Sequence, residues 1–289
     1  MSQTTAPMVV EIWGARGSMP TPGPGTLRYG GNTTCISVRA SSGDRIIIDS
    51  GSGIRKLGRA LLAETPRAAE IDLFFTHFHW DHLQGLPFFA PFIQGTAKVR
   101  FHACVEPSET RARLERQMSD PFFTLDFNRA RAEREFLKNT DSAMRCGALS
   151  IEAFPIHHPQ GACGYRIESG GASVVIATDI EHGHPVLDKL LRERARNADV
   201  LIYDAQYTEA EYATRAGWGH STPRAAAEVA ADAGVKNLVL FHHDPEHDDA
   251  AMDSILTETR KFFPATSVAC EGEFISIPGT GSIKAASNL

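Results

Sequence analysis

No stretch of this 289-residue chain approaches the roughly eighteen apolar positions of a membrane span, so a membrane protein is not expected. A basic-then-apolar leader is also missing from Met1 to Met8, which points to a cytoplasmic protein. Cysteine is scarce. Five residues, Cys35, Cys104, Cys146, Cys163 and Cys270, are scattered without a Cys-x-x-Cys pair. They read as core or surface thiols, not as a disulfide frame or a structural zinc site. Basic excess is absent as well: a formal charge of −6 gives no global attraction for a polyanion, although a local basic patch remains open. Linkers, low-complexity tracts and short repeats are lacking, so a single domain over 1–289 is expected. Apolar content of 42% and charged content of 22% suit an ordinary globular enzyme with a large core.

Strand-like and helix-like segments alternate. Val9–Trp13, Cys35–Arg39, Arg45–Ile48, the run from Ile71, and Lys98–Ala103 read as strands in the first half, with a helix over Ile54–Glu64. Leu149–Phe154, Gly164–Glu168, Ser173–Thr178, Asp199–Tyr203 and Asn237–Phe241 are strands in the second half. Helices are expected there over Val186–Arg196, Pro223–Ala233 and Asp248–Phe262. Two similar halves of this kind predict an α/β protein, a four-layer αβ/βα sandwich. Between them, at about 106–145, lies a charged stretch that reads as a helical insertion. Its eight bases are matched by eight acids, which favours a solvated face over a nucleic-acid groove. Phe122, Phe123 and Phe127 within it read as core or as a lid over a pocket.

The most informative stretch is Ile71-Asp72-Leu73-Phe74-Phe75-Thr76-His77-Phe78-His79-Trp80-Asp81-His82. An apolar run suited to a buried strand ends in three histidines and an aspartate within six positions. A strand end followed by a tight loop can aim several side chains at one point, and imidazole with carboxylate suits zinc, manganese or iron. Further candidates also follow strands: His157-His158, Asp179 after Ala177-Thr178, and His242-His243 after Leu238–Phe241. Asp179 could instead cap a helix. The glycine-rich turn Asp49–Gly53 lacks the spacing of a phosphate loop.

The pattern His-x-His-x-Asp-His resembles the signature of the metallo-β-lactamase superfamily, mostly hydrolases with one or two metals. The resemblance implies that His77 and His79 serve one metal, and Asp81 and His82 a second, with Asp49 supporting the loop. Within the superfamily the chain is similar to the ribonuclease Z and small-molecule phosphodiesterase branch. There a ligand histidine lies seven residues before the tyrosine of a Gly-Tyr pair, which implies His158 over His157. Leu-x-Leu-x-His implies His242 over His243, and Asp179 takes the place of the bridging aspartate. The implied cofactors are two divalent ions, zinc first, with manganese or iron also accommodated. Ions about 3.5–4 Å apart would hold a hydroxide between them.

Gly217-Trp218-Gly219-His220-Ser221-Thr222 is similar to the ribonuclease Z pattern in which a histidine, paired with an acid, helps protonate the leaving group. That implies a role for His220 with Asp204, where the branch generally has glutamate; otherwise His220 is a structural loop residue. Ser221 or Thr222 would cap the helix that follows. The long tRNA-gripping arm of ribonuclease Z is absent, since only twenty residues separate His158 from Asp179. A small phosphodiester such as a cyclic nucleotide or cyclic phosphate is therefore the expected substrate, and tRNA a poor one. Hydrolysis of a carboxylic ester, lactone or β-lactam, and a non-catalytic metal-binding sensor, are the alternatives. A homodimer is compatible with the sequence.

Overall fold

A computed structural model describes residues 7–64, 69–140 and 142–278. The leader reading at Met1 to Met8 rests largely on residues outside these, as does one of the eight acids, Asp141.

Two seven-stranded sheets face one another. The first is built from β1 (Met8–Gly14), β2 (Cys35–Ala40), β3 (Arg45–Ile48), β4 (Ala69–Phe74), β5 (Ala97–Ala103) and β6 (Glu133–Lys138). The second holds β7 (Met144–Cys146), β8 (Leu149–Ile156), β9 (Ala162–Ser169), β10 (Ala172–Ala177), β11 (Val200–Asp204), β12 (Asn237–Phe241) and β13 (Thr266–Val268). The last strand, β14 (Phe274–Ile277), returns to pair with β1. Each sheet is antiparallel on one side and parallel on the other: β3 to β6 in the first, β10 to β13 in the second. Parallel strands need crossovers, which α1 (Ile54–Glu64) and α2 (Ala90–Gln94) supply on one outer face, with α3 (Pro107–Gln117) beside them. On the other face lie α4 (Pro185–Ala195), α6 (Pro223–Asp232) and α7 (Asp249–Thr259), while α5 (Glu209–Arg215) lies in the connection from β11 to α6.

Side-chain alternation explains the layers. Val10, Ile36, Ile46 and Ile48 point inward to meet Ile151, Ile167, Val174 and Ile202 of the opposing sheet. Their alternate neighbours, Ile47 and Leu73 on one side and Val175 and Leu201 on the other, pack under helices. All six residues of β10 are buried because both its faces are covered. The expected αβ/βα sandwich is the observed fold.

Two expectations are corrected. The stretch 106–145 is not a helical insertion throughout: among its described residues only α3 is an α-helix, and Glu133–Lys138 is the edge strand β6. Charges at Glu133, Arg134, Glu135 and Lys138 gave that segment a helical look, but they also suit a strand edge bordering solvent. Phe127 is core, whereas Phe122 is exposed. Cys104 and Cys163, expected as thiols, form a disulfide. Cys104 follows β5 and Cys163 lies in β9, so they meet only once the two sheets are stacked. Cys35, Cys146 and Cys270 are free.

Candidate metal centre

The loops after the parallel strands of both sheets converge at one end of the sandwich. Beyond β4 the chain passes through Thr76 to a single 3-10 turn, Trp80–His82. From the second sheet come the β8–β9 loop with His158, Asp179 after β10, Asp204 at the end of β11, and His242 after β12. The seven sequence-predicted ligands come together in two adjoining clusters: His77, His79 and His158, and Asp81, His82, Asp179 and His242. Within each cluster the candidate donor atoms all lie within 4.8 Å of one another. Asp179 faces both, with Oδ1 at 3.8 Å from His77 Nε2 and 3.1 Å from His242 Nε2, and Oδ2 at 3.1 Å from His82 Nε2.

The five clustered histidines share one design. Each has its outward nitrogen against an oxygen acceptor, leaving the other nitrogen aimed inward. His82 Nδ1 donates to Asp49 Oδ2 at 2.8 Å, and His242 Nδ1 to Gln206 Oε1 at 2.8 Å. His158 Nδ1 donates to the Gly219 carbonyl at 2.8 Å. His79 Nε2 donates to Gln160 Oε1 at 2.9 Å, and His77 Nδ1 to Thr76 Oγ1 at 3.1 Å. The Thr76 hydroxyl in turn donates to Asp49 Oδ2 at 2.8 Å. Such anchoring sets the tautomer and orientation that a metal-binding imidazole needs. His77 Nε2, His82 Nε2 and Asp179 Oδ2 are buried without a hydrogen-bond partner, which is costly unless a cation satisfies them. The donor set and these orphaned atoms fit divalent ions.

Charge separates the clusters. Burial opposes ionisation of Asp179, yet His242, His82 and His77 hold its pKa well below the usual carboxylate range. Burial likewise works against protonation of His242, but Asp179 and Asp81 outweigh it and raise its pKa to about 9. At His77 and His158 of the other cluster burial prevails, joined at His77 by the charge of His82. It pushes His158 down to about 4 and His77 well below its ordinary value.

The backbone is shaped to the site. Asp49, Asp179 and His242 adopt left-handed φ of 61°, 57° and 63°. For non-glycine residues such conformations cost roughly 1–3 kcal/mol each, and they turn each side chain off its strand end toward the centre. Glycines give way behind two of these histidines: a Cβ on Gly17 would lie 2.3 Å from His242 Nδ1, and one on Gly219 2.5 Å from His158 Nδ1. The Ser18 amide donates to Asp81 Oδ2 at 2.9 Å. Its loop is pinned by the buried guanidinium of Arg16, which donates to the carbonyls of Gly30, Asp244 and His247.

His220 stands at the edge of this assembly. Its ring stacks on His242 with centroids 4.8 Å apart and lies 5.5 Å from His158. Nδ1 donates to Asp204 Oδ2 at 2.8 Å, so the shorter aspartate reaches where the similar branch generally has glutamate. Asp204 Oδ1 accepts from the amides of Ser221 (3.0 Å) and Gln206 (3.1 Å). Glu181 holds the loop by accepting from Gly217 N, Gly219 N and Tyr212 Oη. Thr222, with Pro223 behind it, caps α6.

Of the paired histidines, His157 turns away to the Glu181 carbonyl (3.0 Å) and His243 to the Ala269 carbonyl (2.8 Å). Gln206, Gln160, Glu181 and the Gly219 carbonyl went unread in the sequence. Only Gln206, two residues after Asp204 on the same strand end, carried any signal.

A family model described as a beta-lactamase superfamily domain matches residues 44–243. Ribonuclease Z of Brevibacillus brevis is 39% identical over 113 residues, 37% of this chain and 33% of that protein; the match thus spans about a third of that relative's length. Ribonuclease BN of Escherichia coli O1:K1 is 26% identical over 283 residues, covering 80% of this chain and 88% of that one. Among solved structures, the metallo-beta-lactamase fold protein YhfI from Bacillus subtilis superimposes with a TM-score of 0.68 at 19% identity, covering 93% of this chain and 99% of that one.

Proposed function

The chain belongs to the beta-lactamase superfamily, and from that premise we propose that it is a metal-dependent hydrolase of small phosphodiesters, such as a cyclic nucleotide or cyclic phosphate. In this reading His77, His79 and His158 hold one ion, Asp81, His82 and His242 hold the other, and Asp179 serves both. Two divalent ions, zinc first and manganese or iron next, would neutralise phosphoryl oxygens and lower the pKa of the attacking water.

The observation that carries the phosphodiester assignment is the His220–Asp204 pair beside those ligands. Departure of an alkoxide needs a proton, and a positioned imidazole supplies one. Asp204 accepts from Nδ1, so Nε2 carries the transferable proton and the ring gains a negative partner once it is protonated. Glu181 keeps the loop in place, and the stack on His242 sets the ring's plane. After transfer, His220 is ready to recover a proton from solvent.

RNA is the natural competitor, given relatives named as ribonucleases. Against it stands the short course from His158 to Asp179, occupied by β9 and β10 with no arm between. Metal analysis followed by a panel of bis-p-nitrophenyl phosphate, cyclic nucleotides, a tRNA precursor, a lactone and a chromogenic β-lactam tests the reading. Phosphodiester turnover is expected. Turnover of the lactone or β-lactam alone would overturn it, tRNA turnover alone would reassign the substrate, and metal binding without any turnover would favour a sensor.

A further inference from the structure

Beside the histidine-only cluster lies a cleft of about 540 Å³, within the usual range for small-molecule sites. His77 and His79 border it, and Trp80, Phe122, Arg113 and Arg116 line its sides. Trp80 is 70% exposed and Phe122 66% exposed, so two large aromatic side chains are held in water next to the ligands. Trp80 sits between His79 and Asp81 and takes its position from the same 3-10 turn. The two arginines of α3 differ. Arg113 is engaged, paired with Glu109 and placed 4.7 Å over the Phe78 ring. Arg116 is exposed and makes no ion pair or cation–π contact among the described residues. The cleft therefore offers aromatic surface and an unengaged guanidinium. Both are means of holding a planar ring with polar edges.

The position of His220 tells which part of a substrate would lie here. It is not among the residues lining the cleft; it meets the site through His242 and His158. If His220 protonates the leaving oxygen, the leaving group lies on that side. A substituent in the cleft is then the one that stays on phosphorus.

We propose that this cleft binds the retained substituent of the ester, and that this substituent is an aromatic heterocycle of the nucleobase class, stacked on Trp80 and Phe122 with its polar edge toward Arg116. The proposal rests on the phosphodiesterase reading above. Two esters with the same leaving group, thymidine 5′-(p-nitrophenyl) phosphate and methyl p-nitrophenyl phosphate, separate recognition of the retained group from the chemistry. The metal-loaded protein should favour the thymidine ester in kcat/KM by about fivefold to 150-fold, the range of one base stacked on one aromatic side chain. Trp80→Ala should bring that ratio close to one, chiefly through KM, and Arg116→Ala should lower it less; both positions are exposed, so folding is expected to survive. Equal use of the two esters by the unaltered protein, or an unchanged ratio in Trp80→Ala with normal metal content, would overturn the proposal. If neither ester is turned over, the phosphodiesterase reading fails on its own. The subsite is then decided by tryptophan fluorescence: saturable quenching by thymidine 5′-monophosphate that disappears in Trp80→Ala supports it, and no quenching refutes it.

Discussion

The two candidate ligand clusters approach within 3.8 Å, between His77 Nε2 and Asp179 Oδ1, yet they are built in opposite ways. One consists of imidazoles alone, is half-open at His79, and leans on loop groups, the Gln160 side chain and the Gly219 carbonyl. The other contains two carboxylates, is buried throughout, and rests on Asp49, Gln206 and the Ser18 amide. A cation entering the second cluster meets fixed negative charge in a poorly solvated place, where attraction is strongest. A cation in the first meets imidazoles with no carboxylate of their own and shares Asp179. The carboxylate cluster should therefore hold its ion more tightly, and the histidine cluster should be the exchangeable one.

Removing what the clusters share should have the largest effect. Asp179→Ala is expected to deplete both ions and reduce activity to background; metal analysis showing one ion retained at full occupancy would separate the clusters more completely than this geometry implies. Next comes His220→Ala, which is expected to keep both ions, since His220 belongs to neither of the two clusters assigned here. Its loss should be roughly 10²–10⁴-fold on a cyclic nucleotide, whose alkoxide needs a proton, and small on bis-p-nitrophenyl phosphate, whose leaving group does not. Equal losses on the two substrates would make His220 a binding or structural residue. Asp49→Asn should weaken metal binding by roughly 10–100-fold, as loss of a supporting partner does, and more at the carboxylate cluster, where Asp49 touches His82 directly. Titration with a chelator should then show a plateau near one ion per chain in the unaltered protein; simultaneous release of both ions would erase the proposed difference. The smallest effect is expected from His157→Ala, with nearly normal metal content, against depletion in His158→Ala.

The same contrast governs what could be read from sequence. His77 to His82 were legible because four donor types fall within six positions behind an apolar run, a local pattern. The choice of His158 and His242 over their neighbours came from spacing in a similar branch, since adjacent histidines look alike until the backbone turns. At His242 that turn is a left-handed φ, which histidine does not announce. The supports were mostly illegible: a backbone amide at Ser18 or a carbonyl at Gly219 has no residue type of its own. Cys104 and Cys163 stand 59 residues apart, one just beyond β5 and the other in β9, and only the stacking of the two sheets joins them. Strand β6 was lost among its charges, because an edge strand and a solvated helix draw on the same residues.

Gly17 and Gly219 carry a consequence for how this protein can vary. Each lies against the back of an imidazole proposed as a ligand, where even a methyl group would collide, and Gly219 also has φ near +90°. Neither donates an atom to an ion, yet both should tolerate substitution as poorly as the histidines they adjoin. In a library of all single replacements scored by metal content, positions 17 and 219 should cluster with 242 and 158; position 219, where the left-handed φ strains any side chain, should lose soluble yield as well. Normal metal content in Gly17→Ala would mean that the His242 ring can slide aside. Routes by which this scaffold acquires new chemistry should therefore run through the walls of the cleft and leave these two silent positions fixed.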